Sequence, residues 1–181
     1  MLSGTKIKLR PIEPSDMDLL YKWENDRSIW SVSNTVKHFS RQEIKEYISS
    51  IRDIYADKQL RLMIVLNLKS PSPAGEGRGE AIGCIDLFDF DADNLKAGVG
   101  ILIAEPHQRQ KGYASEALKL LINYCFNTLN LHQLYCNIPV NNEASIKLFK
   151  KHGFQKTGVK KDWIRTGAEW VDEYILQLIN D

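Results

Sequence analysis

The sequence predicts a mixed α/β domain in which helices cover both faces of one central sheet. The first observation behind this prediction is the stretch 101–126, where a short apolar strand and a polar loop lead into a helix with one apolar stripe. The second is that strand and helix patterns follow one another without forming regular strand–helix–strand repeats. Because the 181 residues contain no internal repeat or linker, we expect a single domain spanning 1–181.

The N-terminal part is predicted to form a strand, a helix, an irregular stretch and a second helix. Residues 6–10 alternate between apolar and polar side chains, which is typical of a strand. Ser15 with Asp18, and Ser40 with Glu43, have the spacing of capping boxes, so we expect a helix to begin at each. The stretch between these two helices shows no period and is expected to be irregular.

A hairpin and the remaining strands follow. Residues 60–68 and 81–88 are predicted to pair as strands, and the intervening 69–80, with two prolines and three glycines, is predicted to be a loop. Further strands are predicted at 97–104, 133–138 and 171–179, with another beginning at Phe154 and a short helix between Asn142 and Gly153.

The overall charge argues against a strongly electrostatic partner. Lys and Arg total 24 and Asp and Glu total 23, so the net charge of +1 gives no case for binding nucleic acid or a membrane surface, and we expect neither. No apolar run reaches the roughly 18 residues of a membrane span, and the N-terminus lacks the apolar region of a signal peptide. We therefore expect a cytoplasmic protein.

The cysteines and histidines do not predict a metal site. Cys84, Cys125 and Cys136 are an odd number of widely separated residues in apolar surroundings, which favours buried hydrophobic side chains over disulfides. The four histidines show no spacing typical of zinc ligands. We expect no metal.

The loop 108–114 has the features of an anion-binding turn. Gly112 and the small residue Ala114 lie where the backbone must turn sharply and allow a ligand to approach. The amides and positive dipole end of the following helix, with Arg109 and Lys111 beside them, suit a pyrophosphate. The alternative is an ordinary strand-to-helix turn with solvated charges. The spacing is neither that of a P-loop nor that of a dinucleotide fingerprint.

Several motifs, in order along the chain, resemble those of the GCN5-related N-acetyltransferase (GNAT) superfamily. Arg109-x-x-Gly112-x-Ala114 resembles the acyl-CoA pyrophosphate loop of that family. Asn142-Glu143-Ala144-Ser145 and the segment 148–154 resemble its later Asn-x-x-Ser and K-x-G-F segments. The opening Leu9-Arg10-Pro11 with Asp16, and the run 167–174, resemble the branch that holds spermidine acetyltransferases and ribosomal-protein N-terminal acetyltransferases.

The resemblance implies a fold, a co-substrate and a set of binding residues. The implied fold is a mixed, mostly antiparallel central sheet flanked by helices on both faces. The implied co-substrate is acetyl-CoA, whose acetyl group passes directly to an amine without a metal. The residues implied to contact it are Ile101, Leu102 and Ile103 for the pantetheine arm, Arg109, Gln110, Lys111, Gly112, Tyr113 and Ala114 for the pyrophosphate, and Asn142 and Phe149 elsewhere. For Asn142, a role as a helix cap alone is the alternative.

Candidate catalytic residues also follow from the resemblance. Polyamine acetyltransferases carry a tyrosine where this chain has Phe149, and phenylalanine cannot donate a proton to the leaving thiolate. A serine resembling Ser145 is the suggested acid in the ribosomal-protein branch, so Ser145 is the candidate acid here. The alternative is a small helix residue near the cofactor. Asp86, on a strand beside 101–103, is the candidate base or amine-binding carboxylate.

The acceptor side is expected to combine acidic and aromatic residues, with surface acids and core aromatics as the alternatives. The candidates are Glu24, Asp26 and Asp86 for a cationic amine and Trp30, Trp163, Trp170 and Tyr174 for the pocket wall.

The predicted function is acetyl transfer from acetyl-CoA to a small primary amine or a polyamine such as spermidine. Two alternatives stay open: a protein or peptide N-terminus as acceptor, and a non-catalytic acyl-CoA sensor, which the missing tyrosine suggests. Exposed strand ends and aromatic residues are compatible with a homo-oligomer.

Overall fold

The computed structural model describes residues 1–33, 37–67 and 79–180, and these form one eight-stranded sheet with helices on both faces. The strands are β1 (Leu2–Ser3), β2 (Ile7–Pro11), β3 (Leu60–Leu66), β4 (Ala81–Asp91), β5 (Lys96–Ile103), β6 (Gln133–Pro139), β7 (Gln155–Thr166) and β8 (Glu169–Ile179). Their order in the sheet is β1-β2-β3-β4-β5-β6-β8-β7, and each neighbouring pair is antiparallel except β5 and β6. The mixed, mostly antiparallel sheet implied by the sequence is confirmed.

Six α-helices lie in the described part of the chain. They are α1 (Met17–Glu24), α2 (Arg27–Ser33), α3 (Arg41–Ser50), α4 (Ile54–Asp57), α5 (Tyr113–Asn127) and α6 (Glu143–Lys151). The helix predicted after the loop 108–114 is α5, and the short helix predicted after Asn142 is α6.

The two faces of the sheet carry separate cores. On one face, α5 buries Ala117, Leu118, Leu121 and Cys125, which belong to the predicted apolar stripe. On the other face, α1, α2 and α3 pack against alternate residues of β3 and the end of β5. This second core contains Leu20, Trp23, Ile29, Ile44, Met63, Val65 and Ala104. The strands between the cores are thus apolar on both sides.

The β5 strand is fully paired on one side only. On its β4 side the register runs from Gly83 opposite Ile103 to Asp91 opposite Lys96. On its other side, β6 runs parallel and pairs only with the part from Lys96 to Gly98. Beyond Gly98 no strand in the described ranges pairs with this side, so β5 and β6 diverge and leave an open backbone edge.

One of the two predicted capping boxes is confirmed. Ser40 Oγ accepts from the Glu43 amide at 3.1 Å, and the Glu43 carboxylate accepts from the Ser40 amide at 2.7 Å. The stretch between the first two predicted helices is not wholly irregular, because α2 lies within it. The sequence of α2 has no apolar repeat typical of a helix, and the helix is stabilised by burial of Ile29 in the same core as Leu20 and Trp23. The predicted loop 69–80 lies outside the described residues, apart from its last two.

The other capping box was predicted at the wrong residues. It lies at Glu13 and Asp16, where the Asp16 carboxylate accepts from the Glu13 amide at 2.8 Å, and not at Ser15 and Asp18. Pro14 explains the shift, because proline has no N–H and a fixed φ, and therefore favours the first helical position.

Candidate active site

Two cavities meet at the open edge of β5. One, of about 540 Å³, lies at the starts of α5 and α6 and is called the cofactor cavity below. The other, of about 400 Å³, lies between α1 and the β7–β8 hairpin and is called the acceptor cavity. Ile101 and Leu102 line both cavities. A ligand that follows this edge therefore reaches from one cavity into the other.

The backbone groups of Ile101 and Ile103 face the open edge. The Ala104 amide donates to the Ile82 carbonyl, beside β4, at 2.9 Å. Because successive residues of a strand direct their backbone groups to opposite sides, those of Ile101 and Ile103 point away from β4. The Ile103 carbonyl indeed accepts from Arg109 Nε at 3.0 Å on that side. An extended ligand arm at this edge would find strand-like hydrogen-bond partners.

The start of α5 offers free backbone donors. Gly112 is its N-cap residue with a φ of 86°, in the left-handed region that glycine adopts without strain, and no side chain among the described residues caps this helix. Gly112, Tyr113, Ala114 and Ser115 all line the cofactor cavity, and the first amides of a helix have no partner within it. The Lys6 ammonium, which the sequence analysis missed, lies 3.5 Å from where a Gly112 Cβ would stand. These groups suit an anion.

The loop before α5 is held by its own side chains. Besides its bond to Ile103, Arg109 lines the cofactor cavity together with Gln110, whose φ is 61°. Lys111 does not line this cavity, since its ammonium donates to Gln108 Oε1 at 3.0 Å. The structure therefore brings Arg109 and Gln110 to the predicted pyrophosphate position, whereas Lys111 supports the loop through buried Gln108.

The α6 helix brings Ser145 to the cofactor cavity and keeps Phe149 out of it. Asn142 Oδ1 accepts from the Ser145 amide at 3.2 Å, and both residues line the cavity together with Leu148. Asn142 is thus a helix cap as well as a wall residue. Phe149 is 3% exposed and packs edge-on against Phe154, with 5.0 Å between ring centroids, so it belongs to the core and not to the described cavity wall.

Ser115 has a histidine partner behind the cavity wall. Its hydroxyl lies 2.8 Å from Nε2 of His152, which follows α6 in the chain. Burial lowers the pKa of His152, and the nearby Lys151 and Lys119 lower it further. The ring is therefore neutral at pH 7, and it links the start of α5 to the end of α6.

One wall of the acceptor cavity carries an ion triad. Arg61 Nε donates to Asp86 Oδ1 at 2.8 Å, and Arg61 Nη1 donates to Glu24 Oε1 at 2.6 Å. A second guanidinium nitrogen reaches the other Asp86 oxygen at 3.2 Å. Burial opposes the charge on Arg61, but Asp86 raises the pKa of this guanidinium well above its usual value. The triad therefore carries two negative charges and one positive charge.

The opposite wall carries an ion pair beside an aromatic ring. Lys160 Nζ donates to Glu173 Oε2 at 3.0 Å, and the same ammonium lies 4.8 Å from the centroid of the Trp163 ring. Glu173 is only 4% exposed, and all three side chains line the acceptor cavity.

A bulge in β7 brings Trp163 to this wall. The β7–β8 register jumps between Lys160 and Ile164, and Asp162 within the jump has a φ of 47°. Asp172 holds the bulge, since its carboxylate accepts from the Asp162 amide at 3.0 Å. An extra residue in one strand changes the direction of the side chains that follow, which explains how Trp163 reaches the cavity.

Cys84 lines the acceptor cavity without being a nucleophile. Burial raises the pKa of its thiol to about 12, so the thiol is neutral at pH 7. Tyr47, whose ring lies 5.9 Å from the Arg61 guanidinium, is also kept protonated, because burial raises its pKa.

Two predicted acceptor residues lie away from the described walls of both cavities. Asp26 accepts from the Ser28 amide at 2.9 Å, and hydrogen bonding to Ser28 lowers the pKa of the Asp26 carboxyl. Trp30 donates to the Glu24 carbonyl at 2.9 Å and packs edge-on against His38. Trp170 and Tyr174 are likewise absent from both walls, whereas Glu24, Asp86 and Trp163 are present.

Arg61, Lys160 and Glu173 are wall residues that the sequence analysis missed. Arg61 lies between two leucines of an alternating strand, and Lys160 and Glu173 each follow or precede another charged residue, so the sequence pattern indicates a solvated face for all three. Their pairing depends on strand register, in which Arg61 stands opposite Asp86 and Lys160 opposite Glu173.

No cluster of three or more metal-binding side chains occurs within the described ranges. A helix with the length and apolar character needed to cross a membrane is also lacking there.

Comparisons with known proteins agree with this geometry. Residues 6–155 match the family model for the acetyltransferase (GNAT) domain. The N-acetyltransferase YnaD of Bacillus subtilis is 34% identical over 185 residues, covering 99% of this chain and 97% of that protein. The spermidine N(1)-acetyltransferase of Escherichia coli K12 is 29% identical over 162 residues, covering 87% of this chain and 77% of that protein. The crystal structure of spermidine N-acetyltransferase from Vibrio cholerae with CoA and spermine superposes with a TM-score of 0.83 at 22% identity, covering 97% of this chain and 96% of that one.

Proposed function

We propose that this chain, which belongs to the GNAT acetyltransferase family, transfers the acetyl group of acetyl-CoA to the primary amine of a small molecule. As a member of that family it is an acetyl-CoA-dependent N-acetyltransferase. The observation that carries the choice of acceptor is the net negative ion triad, which lies in a partly enclosed cavity next to the open edge of β5. Spermidine belongs among the acceptors to test beside a simple monoamine, because several relatives are named spermidine N(1)-acetyltransferase.

Acetyl-CoA fits the cofactor cavity part by part. The amides of α5 and the cation of Arg109 would hold the pyrophosphate, while the Lys6 ammonium, which donates to the Lys111 carbonyl at 3.2 Å, adds positive charge beside the loop. The pantetheine arm would add to the open edge of β5 through Ile101 and Ile103. The acetyl group would then lie near Ile101 and Leu102, which line both cavities. Holding both reactants at this point supplies a large part of the rate enhancement.

The acceptor cavity would bind the amine and direct it to the thioester. A primary amine has a pKa near 10, so only about one molecule in a thousand is unprotonated at pH 7. Asp86 and Glu24 both share Arg61, which suits them to binding the ammonium and makes them weaker candidates for removing its proton. Ser145 would protonate the leaving thiolate from the cofactor side.

A peptide N-terminus is the second candidate acceptor. It is favoured by Phe149, because a buried phenylalanine has no hydroxyl to donate at the position where polyamine acetyltransferases carry a tyrosine. A main-chain α-amine also carries a single positive charge, which the triad could accept.

Acceptor-dependent release of CoA thiol from acetyl-CoA tests the proposal. The panel contains butylamine, spermidine, a short peptide with a free N-terminus, and the same peptide with its N-terminus acetylated. Release with butylamine or spermidine but not with the free peptide supports a small-molecule acceptor. Release with the free peptide alone would show that the acceptor is a peptide N-terminus and not a small molecule. If acetyl-CoA binds but none of them causes release, the non-catalytic sensor would replace both.

A further inference from the structure

The acceptor cavity already contains partners for its acidic residues. The acids that line its described walls are Glu24, Asp86 and Glu173. Arg61 pairs with the first two, and Lys160 pairs with the third, at distances between 2.6 and 3.0 Å. The five charges sum to −1.

The Lys160 ammonium occupies a position built for a cation. It lies between the buried Glu173 carboxylate and the face of Trp163. A carboxylate and an aromatic face are the groups that bind an alkylammonium ion best. A second ammonium on the acceptor would have to displace Lys160 or lose its water without gaining a partner.

We infer that the acceptor carries a single positive charge, and that Lys160 excludes diamines and polyamines from the acceptor cavity. This inference rests on the proposed function and narrows its substrate class. The triad, with its charge of −1, takes the reacting ammonium, and the neutral pair of Lys160 and Glu173 faces the uncharged body of the acceptor. Trp163 provides an apolar surface for that body.

The decisive comparison uses two acceptors of equal length, butylamine and 1,4-diaminobutane, with spermidine as a third. For the wild-type protein at saturating acetyl-CoA, we expect kcat/KM for butylamine to exceed that for diaminobutane by at least about tenfold, although diaminobutane has two reactive ends. The reason is that each carboxylate on the described cavity wall already has a cationic partner. Equal or higher kcat/KM for diaminobutane or spermidine would overturn the inference while leaving the proposed function intact.

Three variants test whether Lys160 is the cause. Lys160→Met frees Glu173 and Trp163, so the ratio of butylamine to diaminobutane kcat/KM should fall by about tenfold. Adding Glu173→Gln removes the freed carboxylate and should restore a ratio near that of the wild type. Lys156→Met is the matched control, because Lys156 lies on the same strand, also contacts an aromatic ring at 4.4 Å, and is not on the cavity wall. An unchanged ratio in Lys160→Met, confirmed as folded by circular dichroism, would refute the role of Lys160.

Binding measurements separate this inference from the proposed function. Calorimetric titration of the CoA-loaded protein with each amine reports charge preference even without turnover. Tighter binding of butylamine without acetylation would support the cavity assignment and contradict the proposed acceptor chemistry. Tighter binding of diaminobutane would contradict the inference directly.

Discussion

The burial of His152, whose ring contacts the Ser115 hydroxyl, makes the stability of the folded protein depend on pH. Burial places the pKa of His152 below its usual value of 6.5, so the unfolded chain binds the proton more readily than the folded one. The resulting contribution to stability is fully present above about pH 6.5 and is lost as the pH falls towards the folded-state pKa. The urea midpoint of the wild type should therefore be lower at pH 5.5 than at pH 7.5.

The His152→Gln variant identifies the residue responsible. Glutamine can still bond to the Ser115 hydroxyl but does not titrate, so its urea midpoint should fall less between the two pH values than that of the wild type. His132→Gln is the control, because the side chain of His132 is exposed. An equal fall in the wild type and in His152→Gln would show that other groups cause the pH dependence.

Ser145 is the second residue whose role a single substitution decides. Its position on the cofactor cavity wall supports a role as the leaving-group acid, and alanine fits the helix without strain. Loss of a general acid costs on the order of 10² to 10⁴ in rate. In Ser145→Ala, kcat should fall by at least 10² while the Kd of acetyl-CoA stays within about twofold.

Ser115→Ala is the control, because it removes another hydroxyl from the same wall and should retain most of kcat. If kcat of Ser145→Ala stays within about threefold of the wild type, Ser145 is not the leaving-group acid and only fills a helix position.

At the scale of single elements, the turn into α5 depends on the left-handed backbone of Gly112. The atom nearest to a Cβ added at Gly112 is the Lys6 Nζ, at the ordinary contact distance of 3.5 Å, so an added side chain costs mainly backbone strain, about 1–2 kcal/mol for an ordinary residue in this region. That strain would move the amides that line the cofactor cavity. Gly112→Val should therefore weaken acetyl-CoA binding by at least about tenfold, as measured by calorimetry.

Gly167 provides the matched control for this turn. Its φ is 65°, and no atom lies within 4 Å of an added Cβ, so valine there imposes a similar strain. Because Gly167 lies in the hairpin between β7 and β8, away from the cofactor cavity, Gly167→Val should bind acetyl-CoA within about twofold of the wild type. Equal loss in both variants would trace the effect to destabilisation, and unchanged affinity in Gly112→Val would refute the loop assignment.

The sequence predicts elements well where the signal is local. The stripe of α5, the Ser40 capping box and the Gly112 turn each depend on residues within a few positions of one another, and the structure contains all three. By contrast, α2 depends on burial of Ile29 against another helix. Arg61 and Lys160 acquire their roles only from strand register and from the bulge in β7. Cross-strand pairing of this kind leaves no fixed spacing in a sequence.

At the scale of the whole molecule, the C-terminal strands complete the sheet. β8 pairs with β6 along Gln133 to Pro139, and its Leu176 is fully buried in the core beneath α5. The segment beyond residue 155, where the family match ends, therefore belongs to the same sheet and provides the Glu173 and Trp163 wall of the acceptor cavity. The single domain and the homo-oligomer both stay predictions.

The divergence of β5 and β6 predicts how acetyl-CoA stabilises the whole molecule. The two halves of the sheet are paired across β5 and β6 only between Lys96 and Gly98, so a ligand arm bound along the open edge adds hydrogen bonds where the sheet has none. We expect binding to slow hydrogen exchange of the Ile101 and Ile103 amides by at least about tenfold, measured by residue-resolved NMR. The Leu102 amide, directed towards β4, should change much less, which makes it an internal control. Protection at the start of α5 without protection of Ile101 and Ile103 would confirm pyrophosphate binding there and contradict the strand-like position of the pantetheine arm.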